Sequence, residues 1–180
     1  YATLDQCGAH KLGEYPGHPG IDELGNKVMD MPYNEGIFVG YRFIDKNKLK
    51  PTFPFGHGIS YTTFEYGKAG IDKAEGSADD VFTVTIPVTN SGSREGKEVV
   101  QLYISDKKSS VERPVKELKG FRKVSLKPGE TAEVKFEIGR DALSYFDADK
   151  HAWVCEPGEF EALIGASSAD IRSKVKFKVK

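Results

Sequence analysis

An excess of charge of either sign is missing from this chain of 180 residues: 26 Lys and Arg stand against 27 Asp and Glu, for a net charge of -1. Proteins that grip phosphate backbones carry surplus Lys and Arg on one face, so no nucleic acid is expected as a partner. Also absent is any run of about 18 apolar residues, which leaves no expected membrane-spanning helix and a chain that reads as soluble. It begins at Tyr1, without an initiator Met or a cationic apolar leader. A segment ahead of Tyr1, a signal peptide included, stays open on that account. Cysteine is scarce, with Cys7 and Cys155 far apart. Because Cys155 lies in the apolar stretch AWVC it reads as a small core residue, so free thiols are expected rather than a disulfide, and cysteine usage decides no compartment.

Alternation is what the chain has in abundance. Phe82, Val84, Ile86 and Val88 alternate with Val81, Thr83, Thr85 and Pro87, and the pattern returns at Val100, Leu102 and Ile104. Ala132, Val134, Phe136 and Ile138 alternate with Glu133, Lys135 and Glu137; Phe160, Ala162 and Ile164, then Ile171, Val175, Phe177 and Val179 follow suit. A period of two marks strands buried on one face. Thr and Pro on the outward side of the first run suit an edge or half-exposed strand. The stretch ELKGFRKVSL is less regular, with Gly120 a candidate bulge. Turn signals NSGSREG, KPGE, DADK and EPG fall between the runs. Short strands at this spacing, with no convincing amphipathic helix, predict a mainly β antiparallel sandwich of two sheets and roughly seven strands over residues 65–180, able to fold alone, with a closed barrel as the weaker alternative. Lys174, Lys176, Lys178 and Lys180 alternate with Val175, Phe177 and Val179, so they read as the solvated side of a strand, where Lys protects an edge.

Residues 1–64 differ in character. They are loop-rich, and Gly36 to Ile44, GIFVGYRFI, is their one compact apolar run, a buried strand or a short helix. A single element cannot bury its own face, so this segment is expected to belong to a larger body. Between the two parts lies PTFPFGHGISYTTF, Pro51 to Phe64. Its prolines stiffen the backbone, and Phe53, Phe55, Tyr61 and Phe64 supply apolar area, so it reads as an aromatic seam rather than a flexible linker.

At these residues the chain resembles a known family. YNEGIFVGYRFID (Tyr33 to Asp45) followed by FPFGHGISYTTFEY (Phe53 to Tyr66) resembles the C-terminal end of the α/β sandwich domain in glycoside hydrolase family 3 β-glucosidases and β-xylosidases. GKEVVQLYISD, RPVKELKGFRKVSLKPGET and WVCEPGEFEALIG look like the fibronectin type III-like domain that follows it in many members. The resemblance implies a parent that hydrolyses terminal non-reducing β-D-glucosyl or β-D-xylosyl residues with retention. Its Asp nucleophile lies in an N-terminal barrel, and its acid/base carboxylate stands upstream of the EGI-VGYR segment. Neither motif occurs in this chain, so no catalytic, cofactor-binding or metal residue is carried over and no cofactor is expected. The implied partners are the parent's catalytic N-terminal domains, an oligosaccharide substrate bound through them, and a second copy in a homodimer; the implied location is periplasmic or secreted.

Glu35 is the one acid adjacent to an apolar element, where capping or packing is favoured over catalysis. Arg42 reads as half of a structural ion pair rather than a sugar clamp. Cys7, His10 and His18 form a loose C-x2-H-x7-H set without a clear fourth donor, so no zinc is expected. His57, between two glycines, reads as a turn residue packed on the seam, with contact to a catalytic domain as the alternative. Trp153, Tyr103, Tyr145 and Phe146 raise the rival reading of a carbohydrate-binding module. Against it, a lone Trp is expected in the sandwich core, while Tyr103 points outward, where it could join a domain or subunit contact. An adhesion spacer is a further rival, and it leaves residues 1–64 without a purpose.

Overall fold

Asp22 organises the first local structure. Its carboxylate accepts hydrogen bonds from the backbone N–H groups of Leu24 and Asn26 at 2.9 and 2.8 Å and from the Asn26 side chain at 3.0 Å, an Asx-type turn in which Gly25 takes φ 82. Through it β1 (His18–Ile21) and β2 (Lys27–Asp30) pair antiparallel. The computed structural model describes residues 18–30 and 35–180, and it divides into two compact units between Phe55 and Gly56.

The apolar run resolves its ambiguity in favour of a helix, α1 (Tyr41–Lys46). Gly40, at φ 58, supplies the left-handed backbone that lets the chain turn into it. The helix ends where Leu49 N–H returns to the Ile44 carbonyl at 2.9 Å. Tyr41 stacks on Phe55 with ring centroids 5.1 Å apart, and the Lys46 ammonium sits 3.6 Å from the Phe38 ring centroid. Ile44 is the single large apolar side chain buried among the described residues of this unit.

The second unit, from Gly56, contains β3 (Phe64–Tyr66), β4 (Gly70–Ile71), β5 (Glu75–Gly76), β6 (Phe82–Asn90), β7 (Gly96–Asp106), β8 (Glu117–Leu126), β9 (Thr131–Ile138), the one-turn helix α2 (Arg140–Leu143), β10 (Tyr145–Asp147), β11 (Ala152–Val154), β12 (Gly158–Gly165) and β13 (Ile171–Val179). One sheet runs β5-β13-β12-β7-β8; in the other, β6 pairs with β9 on one edge and with β3 and β4 on the other. A separate hairpin joins β10 to β11. The two sheets face each other across one core, in which Phe82, Ile86, Val100, Leu102, Phe160 and Ile164 are all but inaccessible. Phe177 packs against both Phe82 and Phe160, with centroids 4.8 and 5.7 Å away, so rings from both sheets interleave. The expected β-sandwich is the observed fold.

Two local readings need refinement. Of the edge or half-exposed strand expected, β6 is the half-exposed one: it is internal, and Pro87 stands opposite the break between β3 and β4, where Gly67 N–H reaches the Pro87 carbonyl at 2.9 Å. A residue without an N–H is tolerated where the neighbouring strand is interrupted. The irregularity in β8 falls beside Gly120: Leu102 pairs with Gly120 and Tyr103 with Leu118, so Lys119 is the extra residue. A Cβ at Gly120 would meet the Phe136 ring at 3.3 Å, which favours glycine there.

One end of the sandwich is closed by a polar side chain. Asn90, fully buried at the end of β6, donates to the carbonyls of Arg94 at 2.7 Å and Leu126 at 2.8 Å. Its side-chain oxygen accepts from Thr62 Oγ1 at 2.7 Å and from Gly92 N–H at 3.1 Å. Four segments thus meet on one carboxamide. Asn90→Ala leaves the buried Leu126 carbonyl and the part-buried Arg94 carbonyl without their partner and is expected to lower the free energy of unfolding by about 3 kcal/mol. Urea denaturation of the 180-residue chain reads this, and a loss below about 1 kcal/mol would contradict the assignment.

Candidate functional site

Glu35 has one carboxylate oxygen buried with no hydrogen-bond partner among the described residues. An orphaned buried acceptor is costly, so the group is built for a neighbour that those residues do not supply. Arg42 lies half-buried on α1. Of the loose thiol and imidazole set, Cys7 and His10 lie outside the described residues, as does the side chain of His18. Among the described residues no group of three or more His, Cys, Asp or Glu is placed to hold a metal ion. Cys155 is a free thiol, partly buried against the core, and burial pushes its ionisation above the ordinary thiol value.

His57 is exposed and lines a cavity of about 260 Å³ within the second unit. Gly56 to Ser60 form one wall, with Tyr66, Lys97, Glu98, Val99, Asp170 and Arg172 opposite. Glu98, Asp170 and Arg172 among its charged groups are already engaged. Tyr66 Oη donates to Glu98 at 2.8 Å, and Arg172 makes two contacts to Asp170, at 2.5 and 2.7 Å. Burial, then the hydrogen bond to Glu98, raises the Tyr66 phenol well above its ordinary value. The strap is held by Gln101, whose amide donates to the carbonyls of Gly56 at 3.3 Å and Ala166 at 2.7 Å. Gly56 has φ 80, and a Cβ there would collide with that amide. Glycine is required on both counts.

Two carboxylates, Asp106 and Glu117, are bridged by Arg113. Nη1 of Arg113 lies 3.2 Å from Asp106, Nη2 lies 3.0 Å from Glu117, and Nη1 also donates to the Leu143 carbonyl at 3.0 Å. Retaining glycoside hydrolysis needs one protonated acid and one free carboxylate facing a sugar. Here a guanidinium holds the two acids together, and the Arg113 and Asp106 side chains are only 7% and 3% exposed. The triad is a structural lock between β7, β8 and α2.

The aromatic residues are placed otherwise than expected. Trp153 is not in the core: it is 66% exposed, opposite Phe146 on the β10–β11 hairpin, with ring centroids 5.7 Å apart. The sandwich fills its centre with Phe82, Phe160 and Phe177, which leaves no space the indole must fill. Tyr103 does point outward but is fully buried, its hydroxyl on Gln101 at 2.6 Å and Lys116 lying over its ring. It is covered by its own chain, and so is not available to a partner. Tyr145 faces away from the exposed pair and ties the hairpin down through Glu156 at 3.1 Å. Glu156, also bonded by Ser110 N–H at 2.9 Å, is held below its ordinary value by that backbone bond first. A cluster of this kind anchors a hairpin. Sequence reasoning missed Asn90, Gln101 and Arg113, since no periodicity marks a polar residue that is buried by distant segments.

Residues 98–168 match the family model of the fibronectin type III-like domain. The β-glucosidase BoGH3A of Bacteroides ovatus is 50% identical over 177 residues, covering 97% of this chain and 22% of that protein. Thermostable β-glucosidase B of Acetivibrio thermocellus is 47% identical over 172 residues, with 94% and 22% covered. Among solved structures, the GH3 β-glucosidase of Bifidobacterium adolescentis superposes with a TM-score of 0.84 at 35% identity, over 98% of this chain and 24% of that one. The chain therefore spans about a fifth of the curated relatives it matches.

Two outcomes test the geometry. Arg113→Met strands Asp106 as an unpaired buried charge and is expected to cost about 3 to 5 kcal/mol of stability, read by denaturant unfolding; a cost within the range of an exposed pair, below about 1 kcal/mol, would refute the lock. For Tyr66 the folded ionisation is raised, so its contribution to stability is complete below the ordinary tyrosine value and is lost as pH rises past about 10, when the unfolded phenol ionises and the folded one does not. The fall in stability on going to alkaline pH is expected to be shallower in Tyr66→Phe, and identical slopes would contradict the burial.

Proposed function

With this chain a fibronectin type III-like part of glycoside hydrolase family 3, we propose that it is the stabilising and orienting module of a β-glucosidase whose catalytic carboxylates lie elsewhere in the parent. The parent hydrolyses terminal non-reducing β-D-glucosyl residues with retention, a reading supported by relatives that carry the name β-glucosidase over nearly the whole of this chain. One observation carries the division of labour. The second unit buries a complete apolar core of its own, whereas the described part of the first unit buries Ile44 and exposes Ile21, Leu24, Met29, Ile37, Val39 and Phe53. Apolar area on that scale belongs against another surface.

The first part, through residue 64, then completes an α/β domain that the parent supplies, and the sandwich from residue 65 supports it, with Gly56 to Phe64 as the connecting strap. The orphaned oxygen of Glu35 fits the same reading, as a group whose partner sits in that domain. Among the more exposed acids of the sandwich, Asp80 is held at about 2 by the Ser77 N–H first and by Lys73, and Glu75 is lowered by Lys180. Neither of these two is raised toward the value a general acid needs at neutral pH.

The purified 180-residue chain is expected to show no hydrolysis of an aryl β-glucoside above the host background, while the full-length parent turns it over. Turnover by the chain itself, surviving controls for host enzyme, would overturn the reading.

A further inference from the structure

The two outer faces of the sandwich are not alike. On the sheet of β6 and β9, the outward positions are Thr83, Thr85, Pro87 and Thr89 with Glu133, Lys135 and Glu137. Lys135 pairs with Glu133 at 3.0 Å, both well exposed. That face is made for water. On the other sheet, the outward residues of β7 are Lys97, Val99, Gln101, Tyr103 and Ser105, since Val100, Leu102 and Ile104 fill the core. Opposite them on β8 stand Phe121, Lys123 and Ser125. Phe121 is 61% exposed and Val99 37%. A phenylalanine displayed outward from the edge strand β8, beside the buried Gln101 of β7, is costly in water and is the usual form of a contact anchor.

We propose that this face, centred on Phe121, is where the upstream catalytic body of the parent docks, through an apolar recess rimmed by carboxylates. The proposal rests on the scaffold reading above and goes further by choosing the face and the partner's chemistry. Three observations select the occupant. The polypeptide enters the sandwich over this face, because the outward amide of Gln101 holds the carbonyl of Gly56, and Ile59 of the same strap lines a cavity with Val99 and Lys97. A body joined ahead of Gly56 thus starts its reach here. The charges among the outward residues of β7 and β8 between Lys97 and Ser125 are Lys97 and Lys123, with no Asp or Glu. Glu95, which accepts from Ser125 Oγ at 3.3 Å, marks one end of this strip, and the stretch around Lys123 and Lys97 is complementary to acidic side chains. Finally, the chain spans about a fifth of its relatives, so most of the parent is available to cover this face.

The test uses the full-length parent and the 180-residue chain in parallel, each carrying Phe121→Glu, Lys123→Glu or, on the opposite face, Thr85→Glu. In the parent, Phe121→Glu is expected to shorten the half-life of thermal inactivation by roughly tenfold, the scale of losing one buried aromatic anchor, with Lys123→Glu in the same direction and Thr85→Glu without effect. In the 180-residue chain none of the three is expected to shift the unfolding midpoint, because all replace outward side chains. If Thr85→Glu weakens the parent and Phe121→Glu does not, the scaffold reading survives and the choice of face is overturned. If neither matters in the parent, docking itself fails and both readings fall. If the 180-residue chain sediments as a dimer that Phe121→Glu splits, the face joins copies of this chain and the proposal is overturned.

Discussion

The carboxamide of Asn90 is the constraint on which the closed end of the sandwich depends. Apolar burial brings two sheets together but does not say where their edges stop, since it is non-directional. Asn90 supplies the direction. From the last position of β6 it bonds the end of β8 at Leu126, the turn at Gly92 and Arg94, and Thr62 in the strap that leads into β3. Its own backbone completes the knot, with N–H on the Glu130 carbonyl and the carbonyl receiving Gly129 N–H. One side chain therefore sets the relation of both sheets and the strap, and the cost of leaving any of those groups dry and unpaired keeps them in register.

The opposite device is ionic. Arg113 gathers Asp106, Glu117 and the Leu143 carbonyl, joining the strand end of one sheet to the helix that precedes the β10–β11 hairpin. The hairpin is then pinned by Tyr145 on Glu156, with the Arg113 guanidinium 5.8 Å from the Tyr145 ring centroid. What remains at the surface of the hairpin is the Phe146–Trp153 pair, displayed on a rigid support. Stability and display are thus separated in this module: the locks lie inside and the rings that face outward carry no part of the core.

Much of this was legible from residue order. Alternation named the core side chains of β6, β7, β9, β12 and β13, because a strand with one buried face writes its burial directly into the sequence. The turn at KPGE was visible for the same kind of reason, and Gly129 takes the left-handed backbone there, at φ 75. Polar residues escaped that logic. Asn90 read as the start of a turn signal, yet three other stretches of chain converge on it. A lone Trp is expected in the core of a sandwich, but the register of Trp153 opposite Phe146 faces both rings outward on a two-stranded hairpin. Tyr103 was placed on the correct face of its strand, and only the fold shows that Lys116 returns across it. The run GIFVGYRFI offered strand or helix equally, and Gly40 together with the return of Leu49 onto Ile44 decided for a helix.

The account turns on a contrast between a part that holds itself together and a part that does not. It is tested most directly by thermal unfolding of a chain trimmed to Gly56–Lys180, followed by calorimetry beside the 180-residue chain. The account expects one cooperative transition whose midpoint and calorimetric enthalpy match the main transition of the longer chain, because every lock described, from Asn90 to Arg113, lies within the trimmed segment. A trimmed chain that melts without a cooperative transition, or far below the longer one, would contradict it.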